Sequence, residues 1–68
     1  MNPRTERGRR TRTALLSAAR EAFEERGFDD CRMNDIADAA GVSHGTVYTY
    51  FESKEEILGQ VIDELLVE

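Results

Sequence analysis

The stretch Asp35-Ile36-Ala37-Asp38-Ala39-Ala40-Gly41-Val42-Ser43-His44-Gly45-Thr46-Val47-Tyr48-Thr49-Tyr50-Phe51 decides the fold. Two short helices joined by a tight turn at a steep angle restrict three positions. A small residue is needed where the helices cross, a residue tolerant of positive φ at the turn, and a branched apolar residue to plug the angle. Ala37, Gly41 and Val47 meet those needs in that order, with Ile36, Val42 and Phe51 completing the core. The spacing predicts a helix-turn-helix over about residues 32–51, with helices from Met33 to Ala40 and from His44 to Tyr50. Ser43 supplies the N-cap of the second, its hydroxyl able to accept from an orphan backbone N–H. An ordinary helical hairpin can meet the same spacing, so the pattern alone leaves both readings open.

Outward from this unit the chain remains helical. Leu15, Leu16, Ala19, Ala22 and Phe23 recur at three- and four-residue spacing, predicting a first helix from Arg9 to Arg26. Gly27 stands where a left-handed cap is wanted, and Phe28 can fold back past it. Residues 1–8, with Pro3, Gly8 and no apolar period, read as a flexible basic arm ahead of a single domain over 9–68. On the other side, Ser53-Lys54-Glu55-Glu56 fits a capping box and starts a fourth helix. Its apolar residues come in adjacent pairs (Ile57 and Leu58, Val61 and Ile62, Leu65 and Leu66), a wider stripe than three small helices can cover. No Gly, Asn or Pro follows Leu66, so this helix is expected to lead into a further, C-terminal domain. The expected architecture is all-α, a small helical bundle.

Composition restricts the function classes. Sixty-eight residues hold one core at most. A single cysteine and a single histidine exclude an intrachain disulfide and a four-ligand zinc cluster of those residues. An enzyme has no positive support, and no cofactor is expected in this segment: so short a core leaves little room for a water-excluding pocket. No apolar run is long enough to span a membrane, so a cytoplasmic protein is expected. The net charge of −5 hides an asymmetry: residues 1–12 carry five arginines against one glutamate, whereas residues 13–68 carry four cations against thirteen carboxylates. Arginines such as Arg9 and Arg10 on an otherwise acidic body fit local phosphate contact, though a solvated tail fits the charge equally well.

The run from Asp35 to Phe51, followed by Ser53-Lys54-Glu55-Glu56-Ile57-Leu58 and preceded by Leu15-Leu16, Ala18-Ala19, Phe23 and Gly27-Phe28, closely resembles the DNA-binding domain of the TetR (tetracycline-repressor) family of bacterial regulators. The likeness covers about residues 9–68. It implies a homodimeric repressor on a palindromic double-stranded operator, released when a small-molecule effector binds a C-terminal helical domain. Dimerisation would also lie in that domain. The competing class is a small helical protein-interaction module, which explains the acidic body but not the set Gly45, Tyr48, Tyr50, Phe51 and Lys54.

Helix geometry then assigns candidate DNA contacts. With Val47 inward, a turn of 100° per residue sets Gly45 and Thr49 opposite it and Thr46 and Tyr48 on the flanks. Ser43 and His44, at the end that enters the major groove first, come within reach. Gly45 lets the backbone approach closely, while Thr46 and Tyr48 offer hydroxyls for phosphate and apolar faces for thymine methyls. Lys54, the only lysine, sits in a first helical turn where a cation is unfavourable, which a nearby phosphate would explain. By resemblance Tyr50 also approaches DNA; a core aromatic with a wet hydroxyl is an equal reading. Where the family usually has Thr or Ser before helix 2, this chain has Cys31-Arg32, so the cap oxygen is lost. Asp30 or Asp35 could substitute for it, and Arg32 could take over the phosphate contact. Asn34 occupies a place where family members often read a base, and asparagine pairs well with adenine; a solvent-exposed helix residue is the alternative. Cys31 reads as a small, partly buried residue.

Overall fold

The computed structural model describes the backbone of residues 3–66 and the side chains of residues 6–66. Four helices follow in order: α1 (Pro3–Arg26), α2 (Met33–Ala40), α3 (His44–Tyr50) and α4 (Lys54–Leu66). Both α2 and α4 pack on α1, and α3 packs on α2. None of the described helices is long and apolar enough to cross a membrane.

One core unites them. Leu15, Leu16, Ala19 and Ala22 of α1 meet Ile36 and Ala37 of α2, Val47 and Phe51 at α3, and Ile57 and Val61 of α4. Leu15, Ile36, Val47 and Ile57 are fully buried, so truncating any of the three larger aliphatics to alanine would cost about 2–5 kcal/mol. The three positions that the helix-turn-helix spacing singles out serve as expected: Ala37 and Val47 have no exposed surface, and Gly41 takes φ 75°. Cys31 is fully buried, further inside than its expected place. At the other end of α4 the stripe emerges from the core, leaving Ile62, Leu65 and Leu66 exposed.

Local chemistry fixes the helix ends. Gly27 (φ 86°) donates its amide to the Phe23 carbonyl at 2.9 Å, and the Phe28 ring returns to within 5.3 Å of the Phe23 ring. That is the left-handed cap with its apolar clasp. At the start of α4, Ser53 Oγ accepts from the Glu56 amide at 3.2 Å. The return half of the expected capping box differs, because the Glu56 carboxylate reaches the Glu52 amide, at 3.5 Å, instead of that of Ser53.

The start of α1 corrects the sequence expectation. The helix begins at Pro3, not at Arg9, so residues 3–8 form its first turns instead of a separate arm. Proline suits a first turn because its ring presets φ and its missing N–H would have no partner there. Glu6 in that turn complements the helix dipole, and arginine is a good helix former. Gly8, expected to break the pattern, lies against α3: a Cβ at that position would come 3.4 Å from the Tyr50 hydroxyl. The side chain of Arg4 and residues 1–2 and 67–68 lie outside the described residues.

Candidate nucleic-acid interface

The turn between α2 and α3 is closed on both sides by backbone bonds. Gly41 N–H donates to the Asp38 carbonyl at 3.2 Å and Val42 N–H to the Ala37 carbonyl at 3.0 Å, the paired pattern of a Schellman cap. Two residues on, Ser43 is extended and its Oγ accepts from the Thr46 amide at 3.3 Å. The Ser43 and Thr46 hydroxyl oxygens also stand 2.7 Å apart. Only one of the two hydrogens is used in that contact, so the other hydroxyl can still donate outward, for example to a phosphate oxygen.

Exposure along α3 follows the helical wheel. Val47 is buried; Ser43, His44, Gly45, Tyr48 and Thr49 are exposed, and Thr46 and Tyr50 are half-buried. Tyr48 is 55% exposed, unusual for an aromatic on so small a domain. Space opposite Gly45 is open, since nothing lies within 4 Å of where a Cβ would stand. The Thr49 hydroxyl donates back to the Gly45 carbonyl at 3.2 Å, leaving its methyl and lone pairs outward. One surface of α3 thus presents hydroxyls, an imidazole and a bare stretch of backbone on a rigid core.

The remaining candidates divide. Asn34 is exposed on the first turn of α2, and Arg32 is exposed just before it. Arg32 occupies the N-cap position, but its guanidinium has donors only and cannot cap. Asp35 Oδ2 accepts the Arg32 amide at 3.0 Å, the return half of a capping box, which leaves the lost cap oxygen itself without a replacement. Asp35 also meets Arg26 at 3.4 Å, tying α2 to the end of α1. Arg9 and Arg10 are exposed, yet they share a shallow depression with Thr13, Ala14 and Ser17, all on α1 and on its outer side. One residue before them, Gly8 borders the end of α3, where a Cβ would stand 3.4 Å from the Tyr50 hydroxyl. Tyr50 packs partly into the core, with its hydroxyl beside Gly8.

Lys54 is engaged within the fold. Its Nζ donates to the Phe28 carbonyl at 2.6 Å and the Cys31 carbonyl at 3.0 Å, with the Asp29 carbonyl at 3.4 Å. It also lies 4.4 Å from the centre of the Phe28 ring. An ammonium has three hydrogens, and three carbonyls of the α1–α2 connection occupy them. Lys54 thus ties that connection to α4, which gives a cation in a first helical turn carbonyl partners inside the fold.

Two residues escape a reading of the sequence. Arg12, counted with the basic arm, turns inward: its guanidinium donates to Gln60 Oε1 at 2.7 Å and lies 5.7 Å from the Phe51 ring centre. Its position three residues before Leu15, on the apolar stripe, was the one signal of this. Asp38, unremarkable on the helical wheel, meets the ring of His44 with Oδ1 2.8 Å from Nε2.

Buried Ala37 and Val47, joined through the left-handed turn at Gly41 and presenting an exposed polar helix, define a helix-turn-helix module. Residues 15–61 match the family model described as bacterial regulatory proteins, tetR family. The chain belongs to that family, and the module is its N-terminal DNA-binding domain. It is 44% identical over 52 residues to the HTH-type transcriptional regulator UidR of Escherichia coli (strain K12), covering 76% of this chain and 26% of that protein. It is 43% identical over 51 residues to the HTH-type transcriptional repressor KstR2 of Rhodococcus jostii (75% and 25%). Over 60 residues it is 37% identical to the HTH-type transcriptional regulator TtgR of Pseudomonas putida (88% and 29%). The chain thus spans about a quarter to a third of the length of these relatives. No solved structure gives a significant match.

Proposed function

We propose that this chain is the sequence-specific DNA-binding module of a cytoplasmic transcriptional repressor that acts as a homodimer on a palindromic operator. The observation that carries the proposal is the exposed surface of α3: Ser43, His44, Gly45, Tyr48 and Thr49 stand out over buried Val47 and Phe51. α3 inserts its first turn into the major groove, with Gly45 at closest approach and His44 and Asn34 meeting base edges. Arg32, Thr46 and Tyr48 position the module on phosphates. Exposed Ile62, Leu65 and Leu66 support packing of α4 against a further helical domain, in which a small-molecule effector and the dimer contact are proposed to lie. Thirteen carboxylates among residues 13–68 repel the duplex at a distance, so affinity rests on the few contacts made locally.

Selection from a randomised duplex library tests this proposal. In the full-length dimer an inverted repeat should be enriched, and His44→Ala or Asn34→Ala should each reduce cognate affinity by about 1–3 kcal/mol while leaving random-duplex affinity unchanged. Replacing Arg9 and Arg10 should flatten the log–log salt dependence by about 0.9 for each phosphate that is no longer neutralised. Recovery of no motif from the library would refute sequence-specific binding.

A further inference from the structure

The pair Asp38–His44 spans the helix-turn-helix turn, and neither residue favours its own helix. Asp38 places a carboxylate in the last turn of α2, and His44 places a basic ring at the first residue of α3. Both positions oppose the helix dipoles. Neither caps a helix: that work is done by Gly41 and Ser43. Both side chains are more than half exposed, at 69% and 52%, so the pair also adds nothing to the core. What it does fix is the imidazole. A carboxylate at 2.8 Å from Nε2 requires the hydrogen on that nitrogen.

We propose that Asp38 is a positioning residue that makes His44 a proton-dependent reader of one base. With Nε2–H held on Asp38, neutral His44 has Nδ1 left as an acceptor, and the matching major-groove partners are the exocyclic amino groups of cytosine or adenine. Taking a proton from solvent turns Nδ1 into a donor, and the matching partners become N7 and O6 of guanine. The other titratable side chains of α2 and α3 leave this role to Asp38. Asp35 is engaged by Arg26 and the Arg32 amide. Tyr48 stands one turn along α3, and Tyr50 packs toward the core. This inference rests on the DNA-binding reading above.

The test is library selection with the wild-type protein, Asp38→Ala, Asp38→Asn and His44→Ala, at about pH 8 and about pH 5.5. At the higher pH the wild type should favour cytosine or adenine at one position of each half-site, by roughly fivefold or more. At the lower pH that preference should move to guanine. Asp38→Ala should flatten that position and leave the others intact, Asp38→Asn, whose amide oxygen still accepts from Nε2–H, should retain part of the preference, and His44→Ala should abolish its pH dependence. Because His44 is the only histidine, nitrogen-15 spectra of the free protein report its tautomer without ambiguity, and a proton on Nδ1 instead of Nε2 at the higher pH would overturn the proposal. So would an Asp38→Ala variant that keeps the wild-type preference, or one that binds more tightly with unchanged preference; the latter would make Asp38 a restraint on His44. Loss of selective binding in every protein, wild type included, would refute the underlying DNA-binding reading and this proposal with it. Unchanged selection at the other positions would confine the failure to the Asp38–His44 pair.

Discussion

Replacing Lys54 with methionine should strongly destabilise this domain. The substitution keeps an unbranched apolar stem against the Phe28 ring and removes only the ammonium, whose hydrogens meet the Phe28, Asp29 and Cys31 carbonyls. A hydrogen bond to a charged group nets about 1.5–3 kcal/mol, and two of these three are short. Partial exposure argues for the low end of that range, and the cation–π contact adds about 0.5–1 kcal/mol, part of which a thioether restores. The expected loss is roughly 2–4 kcal/mol. Small domains shift by about 4–8 °C per kcal/mol, so the thermal midpoint should fall by roughly 10–25 °C. A chain of 68 residues has only about 3–10 kcal/mol of stability in total. Far-UV circular dichroism during heating and urea titration measures both quantities. If the midpoint moved by less than about 2 °C while random-duplex affinity and the salt slope fell, Lys54 would be a phosphate anchor and the tertiary tie would be refuted.

Other perturbations separate stability from binding. Gly59→Ala lies on an exposed turn of α4 with open space around it, and should stabilise by about 0.5–1 kcal/mol without touching DNA affinity. Gly45→Ala should be neutral or slightly stabilising, for the same reason, yet weaken duplex binding, because the added methyl stands where the groove is approached; equal affinity in a gel-shift titration would exclude close backbone approach. The Arg12→Ala and Gln60→Ala pair should show a coupling of about 0.5–1.5 kcal/mol in a double-mutant cycle of urea unfolding, since their bond joins α1 to α4. Burial pushes the Cys31 thiol up from its ordinary value, with Asp35 acting in the same direction. Its folded-state pKa therefore exceeds the unfolded one, so its contribution is complete below the unfolded pKa and is lost as pH rises through the folded one. Urea midpoints should fall across that alkaline window, and Cys31→Ala should remove this part of the fall.

Sequence alone determined the helix-turn-helix. Caps and turns are chemistry between residues a few positions apart: Gly41 and Ser43 act on the amides and carbonyls of their own helix ends, and the apolar period places Ala37, Val47 and Phe51 inside regardless of what covers them. The exposed surface of α3 follows from the same period. The fates of the charged side chains did not follow. Lys54 and Arg12 find partners at sequence separations of 23 to 26 and of 48 residues, and no local pattern says which carbonyl or amide a long cation will reach. Asp38 and His44 are only six apart, yet they meet because the turn brings the end of one helix over the start of the next. The extension of α1 back to Pro3 turned on the tertiary structure as well, for Gly8 reads as a breaker until Tyr50 is packed beside it. Backbone capping and apolar burial act locally or by periodicity, whereas the partner of a charge is set by the distance between elements, which exists only once the helices have packed.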